Sequence, residues 1–177
     1  TNAAGANLLI VHHGMFWGGA RHITGAAYER LHRLMHHDIA VYASHLPLDA
    51  HMTLGNNAQF ARALALDPTE RFGTYEGVAI GVAGTSDLPT ADLVTRADRF
   101  AASLGGHARA SWMEQGRRTR RWAVVTGAGA GAKEIRDAQA RDIDTLIVGE
   151  GPHHTTVDAP EAGLVIIYAG HYATETL

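Results

Sequence analysis

Two adjacent histidines, His12 and His13, stand between the aliphatic run Leu8-Leu9-Ile10-Val11 and Gly14. Neutral imidazoles with no apolar surface to cover suggest metal-ligand chemistry; a pair of solvated surface histidines is the plain alternative. Two further places carry a histidine with an acid four residues on, His45 with Asp49 and His171 with Glu175. Positions i and i+4 share one face of a helix, so His171 and Glu175 can chelate one centre. His12, His13 and Asp49 add two nitrogens and a carboxylate. Five donors, two of them carboxylates able to bridge, exceed what a tetrahedral zinc needs and suit two divalent ions about 3.5–4 Å apart. Zinc, iron(II), manganese and cobalt all accept imidazole with carboxylate, and the residues do not choose among them. A water on such a pair is acidified toward neutrality and becomes a nucleophile at pH 7. His45, Glu150 and His153 are candidates to orient ligands or move protons in catalysis, with a purely structural role as the alternative for each.

The elements that must position these groups read as alternating strands and helices. Leu8–Val11, with its β-branched and aliphatic content, predicts a short strand buried on both faces. Thr24 can cap a helix through Tyr28, Leu31, Leu34 and Met35, with His32, His36 and His37 as solvated residues at its end. Asp38–Ala43 is a second strand, so the first two strands form a parallel βαβ unit whose C-terminal ends share one edge. A helix over Asn57–Leu66 follows and closes at Asp67-Pro68. Gly77–Gly84 is a glycine-diluted strand, Thr90–Leu104 a helix, and Arg121–Val125 a strand. Thr126-Gly127-Ala128-Gly129-Ala130-Gly131 then opens a helix from Ala132 to about Arg141. That turn departs from a dinucleotide fingerprint in the place of its third glycine and in lacking a ribose acid. It reads better as a turn presenting backbone N–H groups to an anion. A nucleotide-binding regulator built on it would also want a phosphate lysine. Thr145–Val148 and Gly163–Ala169 are the last strands, and His171 begins a helical turn.

The two halves resemble each other. Leu146-Ile147-Val148 before Gly149-Glu150 answers to Leu8–Val11 before His12-His13, and Ile166–His171 answers to Ala40–His45. The expectation is therefore an α/β protein of two related units with mostly parallel strands, residues 1–75 and 76–177, and a metal site in the cleft between them.

Composition narrows the classes. A net charge of −3 gives no general basic footprint for nucleic acid. The run Arg117, Arg118, Arg120, Arg121 reads as a solvated turn rather than a phosphate patch. With no cysteine, disulfides, zinc fingers, iron–sulfur clusters and thiol nucleophiles are all excluded within this sequence. No apolar run approaches the roughly 20 residues of a membrane span, and the chain reads as a soluble, cytoplasmic one. The sequence begins at Thr1 rather than Met and stops at Leu177 as a helix starts, so pieces of the natural protein are expected to be missing at both ends.

With these residues assembled, the chain resembles the NIF3-like (NGG1-interacting factor 3, DUF34) family. The matching motifs are Leu9-Ile10-Val11-His12-His13-Gly14, His45-Leu46-Pro47-Leu48-Asp49-Ala50 with Gly55-Asn56-Asn57-Ala58, Thr126-Gly127-Ala128-Gly129, Gly149-Glu150, and Tyr168–Glu175. They run from end to end in the family's order, in the short form without an inserted domain. The family's N-terminal Asp-Asn-x-Gly segment is absent. The resemblance implies a dinuclear metal centre on His12, His13, Asp49, His171 and Glu175, with Glu175 or Asp49 bridging, in a ring-shaped homo-hexamer. Members carry the label GTP cyclohydrolase 1 type 2 homologue. The function expected is a metal-dependent hydrolase acting on a small nucleotide-like, phosphoester or cyclic amide-like substrate. The alternative is a non-catalytic metal-binding or scaffold hexamer.

Overall fold

The computed structural model describes residues 2–177, which divide into two compact units, one ending at Pro47 and the other running from Leu48 to Leu177. The first unit opens with a 3-10 turn at Asn2–Ala4, followed by β1 (Leu8–Val11), α1 (Gly25–His36) and β2 (Ala40–Ala43). β1 and β2 pair in parallel with Leu8 opposite Ala40 and Val11 opposite Ala43. This is the βαβ arrangement the sequence predicts, and the register brings both C-terminal ends level. Burial on both faces does not follow. Leu8 is 48% and Ile10 69% exposed, and α1 buries none of its residues. A sheet of two strands has one helix to pack against and cannot enclose either face, so its aliphatic side chains stay partly open. His32 and His36 are exposed as expected, with His32 stacked between Tyr28 and His36 at ring separations of 5.7 Å.

The second unit begins within α2 (Leu46–Asp49) and continues through α3 (Asn56–Ala63), β3 (Glu70–Tyr75), β4 (Val78–Pro89), α4 (Thr90–Ser103) and β5 (Arg109–Ala110). It then runs through β6 (Arg118–Val125), α5 (Ala132–Ala140), β7 (Thr145–Val148), α6 (Thr155–Glu161), β8 (Val165–Tyr168) and α7 (His171–Thr174). Residues 48–75, read from the sequence as part of the first unit, lie here, and the expected boundary at residue 75 falls inside the β3–β4 hairpin. Six strands form one sheet in the order β3-β4-β6-β7-β8-β5.

Every residue of β7 is buried, because helices cover both faces of the sheet. Alternate side chains of β6 show the division. Trp122 and Val124 pack with Phe60, Leu64 and Leu93 on the α3–α4 side. Ala123 and Val125 pack with Ile135, Ala138 and Ala159 on the α5–α6 side. The chain is thus mixed α/β, but parallel pairing is confined to β1/β2, β6/β7 and β7/β8. β3/β4, β4/β6 and β5/β8 are antiparallel. The expectation of mostly parallel strands missed β3 and β5. β3 reads Glu70-Arg71-Phe72-Gly73-Thr74-Tyr75 with no apolar run, and β5 is two residues long. β3 returns on β4 through the tight turn at Glu76-Gly77, and β4 runs antiparallel to β6 as well.

From Arg118 on, the arginine run is the beginning of β6 rather than a turn. Two of its charges are matched by acids: Arg118 Nε donates to Asp87 Oδ1 at 2.6 Å and Arg121 pairs with Glu70 at 3.1 Å. Arg117 donates to the carbonyls of Asp144 and Gly163. Among the described residues no helix is long and apolar enough to cross a membrane.

Candidate metal centre

Register places the donors. In the first unit β1 and β2 end level, so His12-His13 and Ser44-His45 leave the sheet side by side. His12, His13 and His45 each offer a ring nitrogen within 4.8 Å of the others, with ring centroids 4.8 Å apart in every pair. Trp17 closes edge-on over His45 at 4.6 Å. His12 Nδ1 donates to the Ser44 carbonyl at 3.0 Å. A carbonyl only accepts, so Nδ1 carries a proton and Nε2 is the ring nitrogen a metal would take. That is how proteins hold a metal-ligating imidazole. His45, expected as a residue beside the ligands, stands within the imidazole cluster itself.

The second unit repeats the arrangement. Val125, Val148 and Tyr168 terminate neighbouring strands, and Thr126-Gly127, Gly149-Glu150 and Gly170-His171 emerge together. His171 Nδ1 bonds Glu150 Oε1 at 2.8 Å, and its Nε2 lies 3.2 Å from Glu175 Oε2. Glu150, a candidate to orient ligands, is thus hydrogen-bonded to His171. Partial burial opposes the imidazolium of His171, but the hydrogen bond to Glu150 and the charges of Glu175 and Glu150 outweigh it and raise its pKa. His153 is elsewhere: it is exposed at the start of α6, where its carbonyl accepts from Thr156 Oγ1, and no ligand contact comes from it among those the structure resolves. Asp49 is buried in this unit, its Oδ1 accepting from Asn56 Nδ2 at 3.2 Å.

Asn57 and Thr174, to which the sequence reading gave no role of their own, support these groups together with Gly127 of the expected glycine turn. Asn57, 1% exposed, donates from Nδ2 to the carbonyls of Ile80 (2.8 Å) and Asp49 (3.3 Å) and accepts from Thr126 N–H at 2.7 Å. Thr174 Oγ1 accepts from Gly127 N–H and donates to the His171 carbonyl, both at 3.1 Å. Gly127 has φ +65°, and a Cβ there would meet Glu175 Oε1 at 2.3 Å and His171 Nε2 at 3.1 Å. In the sequence these residues fall within the stretches Gly55-Asn56-Asn57-Ala58, Thr126-Gly127-Ala128-Gly129 and Tyr168–Glu175, but nothing there shows what their side chains hold.

The donors fit divalent transition metals on these observations. Imidazole and carboxylate are the right types, two imidazoles are each held through Nδ1 with Nε2 as the remaining donor, and Glu175 Oε2 stands beside one of those nitrogens. The molecule so defined is a mixed α/β protein whose histidines and carboxylates beyond the strand ends are candidate metal ligands.

The chain belongs to the Duf34/NIF3 (NGG1p interacting factor 3) family, whose model matches residues 1–177. It is 42% identical to the GTP cyclohydrolase 1 type 2 homolog of Deinococcus radiodurans, with 97% of this chain and 64% of the relative aligned. It is 41% identical to the protein of the same name from Halobacterium salinarum, covering 97% and 68%. The chain therefore spans about two thirds of the length of these relatives. The solved structure of protein ybgI, described as of unknown function, superposes with a TM-score of 0.82 at 34% identity, covering 98% of this chain and 68% of that one. Reduced HcgD from Methanocaldococcus jannaschii gives 0.80 at 25% identity, covering 98% and 66%.

Proposed function

We propose that this chain is a metal-dependent hydrolase in which His12, His13, Asp49, His171 and Glu175 hold two divalent ions against a small nucleotide-like, phosphoester or cyclic amide-like substrate. The observation that carries this reading is the pairing of an anchored imidazole with a carboxylate, His171 between Glu150 and Glu175. It is supported by the second anchored imidazole, His12, in its own histidine cluster, and by the cyclohydrolase name of the relatives. Such ions, when bound, supply Lewis acidity and an acidified water.

The chain's own residues then have separate work. Glu150 fixes the tautomer and orientation of His171, and the Ser44 carbonyl does the same for His12. Asn56 holds the Asp49 carboxylate, and the Gly127 turn leaves room for Glu175. His45, within the imidazole cluster, is the group placed to take or give a proton there. Residues that serve metal storage alone would not need this additional polar equipment. The exposed apolar side chains of the first unit, Ile10, Phe16, Trp17 and Met35 among them, offer surface for association, and the homo-hexamer that the family resemblance implies is tested by sedimentation of the full-length protein.

The decisive experiment is elemental analysis of the purified full-length protein beside Asp49→Ala and His171→Ala, followed by hydrolysis assays on GTP and simple phosphoesters. About two transition-metal ions per chain, reduced in each variant, together with metal-dependent turnover, is the expected result. Unchanged metal content in both variants refutes the ligand assignment. Metal without turnover moves the reading to a non-catalytic metal-binding scaffold.

A further inference from the structure

Strand β5 is two residues long, yet the chain beyond it is held firmly. Arg109 and Ala110 pair with Tyr168 and Ile167 on β8. Ser111, itself buried, donates its N–H to the Ile166 carbonyl at 2.8 Å and accepts from Ile166 N–H through Oγ at 3.0 Å. The next residue, Trp112, leaves this pinned edge with 68% of its surface exposed. An indole in water at a fixed position on a sheet edge has no role in the core on either face of that sheet.

Beside it lies a groove of about 670 Å³, lined by Arg109, Trp112, Gly149, Glu150, His153 and Tyr168 among others. That volume is in the range of small-molecule sites. The lining combines an aromatic plane, a guanidinium, an imidazole and a carboxylate. Tyr168 is committed to Thr155 through a 2.8 Å hydrogen bond, so it contributes a wall rather than a free hydroxyl. Glu150 belongs to both places: it lines the groove and holds His171 through Oε1. A molecule in the groove therefore borders the residues proposed to bind metal.

We propose that this groove binds a planar heteroaromatic ring carrying an anionic substituent, with the ring stacked on Trp112 and the anion paired with Arg109. Base–aromatic stacking is tolerant of ring identity, and a guanidinium recognises phosphate or carboxylate oxygens bidentately. The carboxylate of Glu150 accepts hydrogen bonds from ring N–H or amino groups and disfavours an anion at that end, which sets the direction of the bound molecule. The proposal rests on the metal-centre reading only in naming this molecule the substrate.

The test is calorimetric titration of the full-length protein, chelator-treated and metal-loaded, with guanosine 5′-monophosphate, guanosine and ribose 5-phosphate as probes. Trp112→Ala is expected to weaken the nucleotide roughly 5- to 150-fold, the range for losing one stacked base, and to leave ribose 5-phosphate unchanged. Trp112→Tyr retains the stack and most of the affinity. Arg109→Ala is expected to weaken both phosphates about tenfold or more while leaving guanosine unchanged. Binding in the chelator-treated protein with this pattern upholds the groove even if no metal is found. Metal content at two ions with nucleotide affinity identical in wild type and both alanine variants overturns the groove and leaves the metal centre standing. Dissociation of an oligomer by Trp112→Ala overturns it as well, assigning the indole to a contact between copies.

Discussion

Gly127→Ala separates the candidate metal site from the fold that carries it. Gly127 sits at φ +65°, where an L side chain costs about 1–2 kcal/mol. For a chain of this size that lowers the metal-free Tm by about 2–8 °C. The new methyl carbon would stand 2.3 Å from Glu175 Oε1. The tightest favourable carbon–oxygen contacts are about 3.3 Å, so the oxygen must withdraw by about 1 Å. Glu175 is the end of a flexible side chain, and withdrawing it costs the fold little. Metal–ligand distances, however, tolerate only about 0.2 Å. The carboxylate therefore leaves its place beside His171 Nε2, and metal affinity falls about 10- to 100-fold, the range for disturbing a ligand's support, or about 1.4–2.8 kcal/mol. Competition titration against a chromogenic chelator reads the affinity, and thermal unfolding of metal-free protein reads the fold. Gly149→Ala is the contrasting variant, because its Cβ would meet the Gly127 carbonyl at 2.5 Å and Thr174 Oγ1 at 2.7 Å. Its penalty falls on backbone and hence on stability. A folded Gly127→Ala protein with wild-type metal affinity refutes the placement of Glu175 in the site.

Further outcomes follow from other contacts. Glu150→Gln removes a charge that raises the pKa of His171 and leaves only a weaker, neutral acceptor beside Nδ1, so NMR titration of the metal-free variant should give a lower value than wild type; an unchanged value contradicts the anchoring role. A raised pKa stabilises the folded state fully below the ordinary value of about 6.5 and ceases to do so as pH rises through the raised value. Metal-free wild type should therefore lose its stability advantage over Glu150→Gln as pH increases through that window, as urea unfolding across pH would show. Asn57→Ala strips three hydrogen bonds, two of them buried, and leaves Thr126 N–H and the Ile80 carbonyl without the amide, a loss of about 3–5 kcal/mol measurable by urea denaturation; a change under 1 kcal/mol would mean water replaces the amide. Ile147→Ala, fully buried in the central strand β7, should cost about 2–5 kcal/mol without altering metal stoichiometry.

Much of this molecule is legible along the chain because its signals are local. The aliphatic runs Leu8–Val11 and Leu146–Val148 announce strands wherever they end up, and the spacing of Leu93, Ala97 and Ala101 announces a helix face. The histidines and acids at strand ends identify the candidate donors because few other tasks want imidazole and carboxylate in those positions. β3 escaped because five of its six residues are polar, glycine or exposed tyrosine, and it is a strand only by virtue of β4 beside it. β1 was expected to be enclosed because its composition matches β7; the first unit has two strands to enclose it and the second has six.

Residue type and short-range period were thus settled by sequence: which segments are extended, which are helical, and which side chains can bind a cation. Tertiary structure alone decided what each donor leans on. His12 is fixed by Ser44 across 32 residues, His171 by Glu150 across 21, and the turn at Thr126 by Asn57 across 69. These pairs arise from the register of strands and from helices laid over them, and no local pattern encodes a hydrogen bond that exists only once the intervening chain has folded.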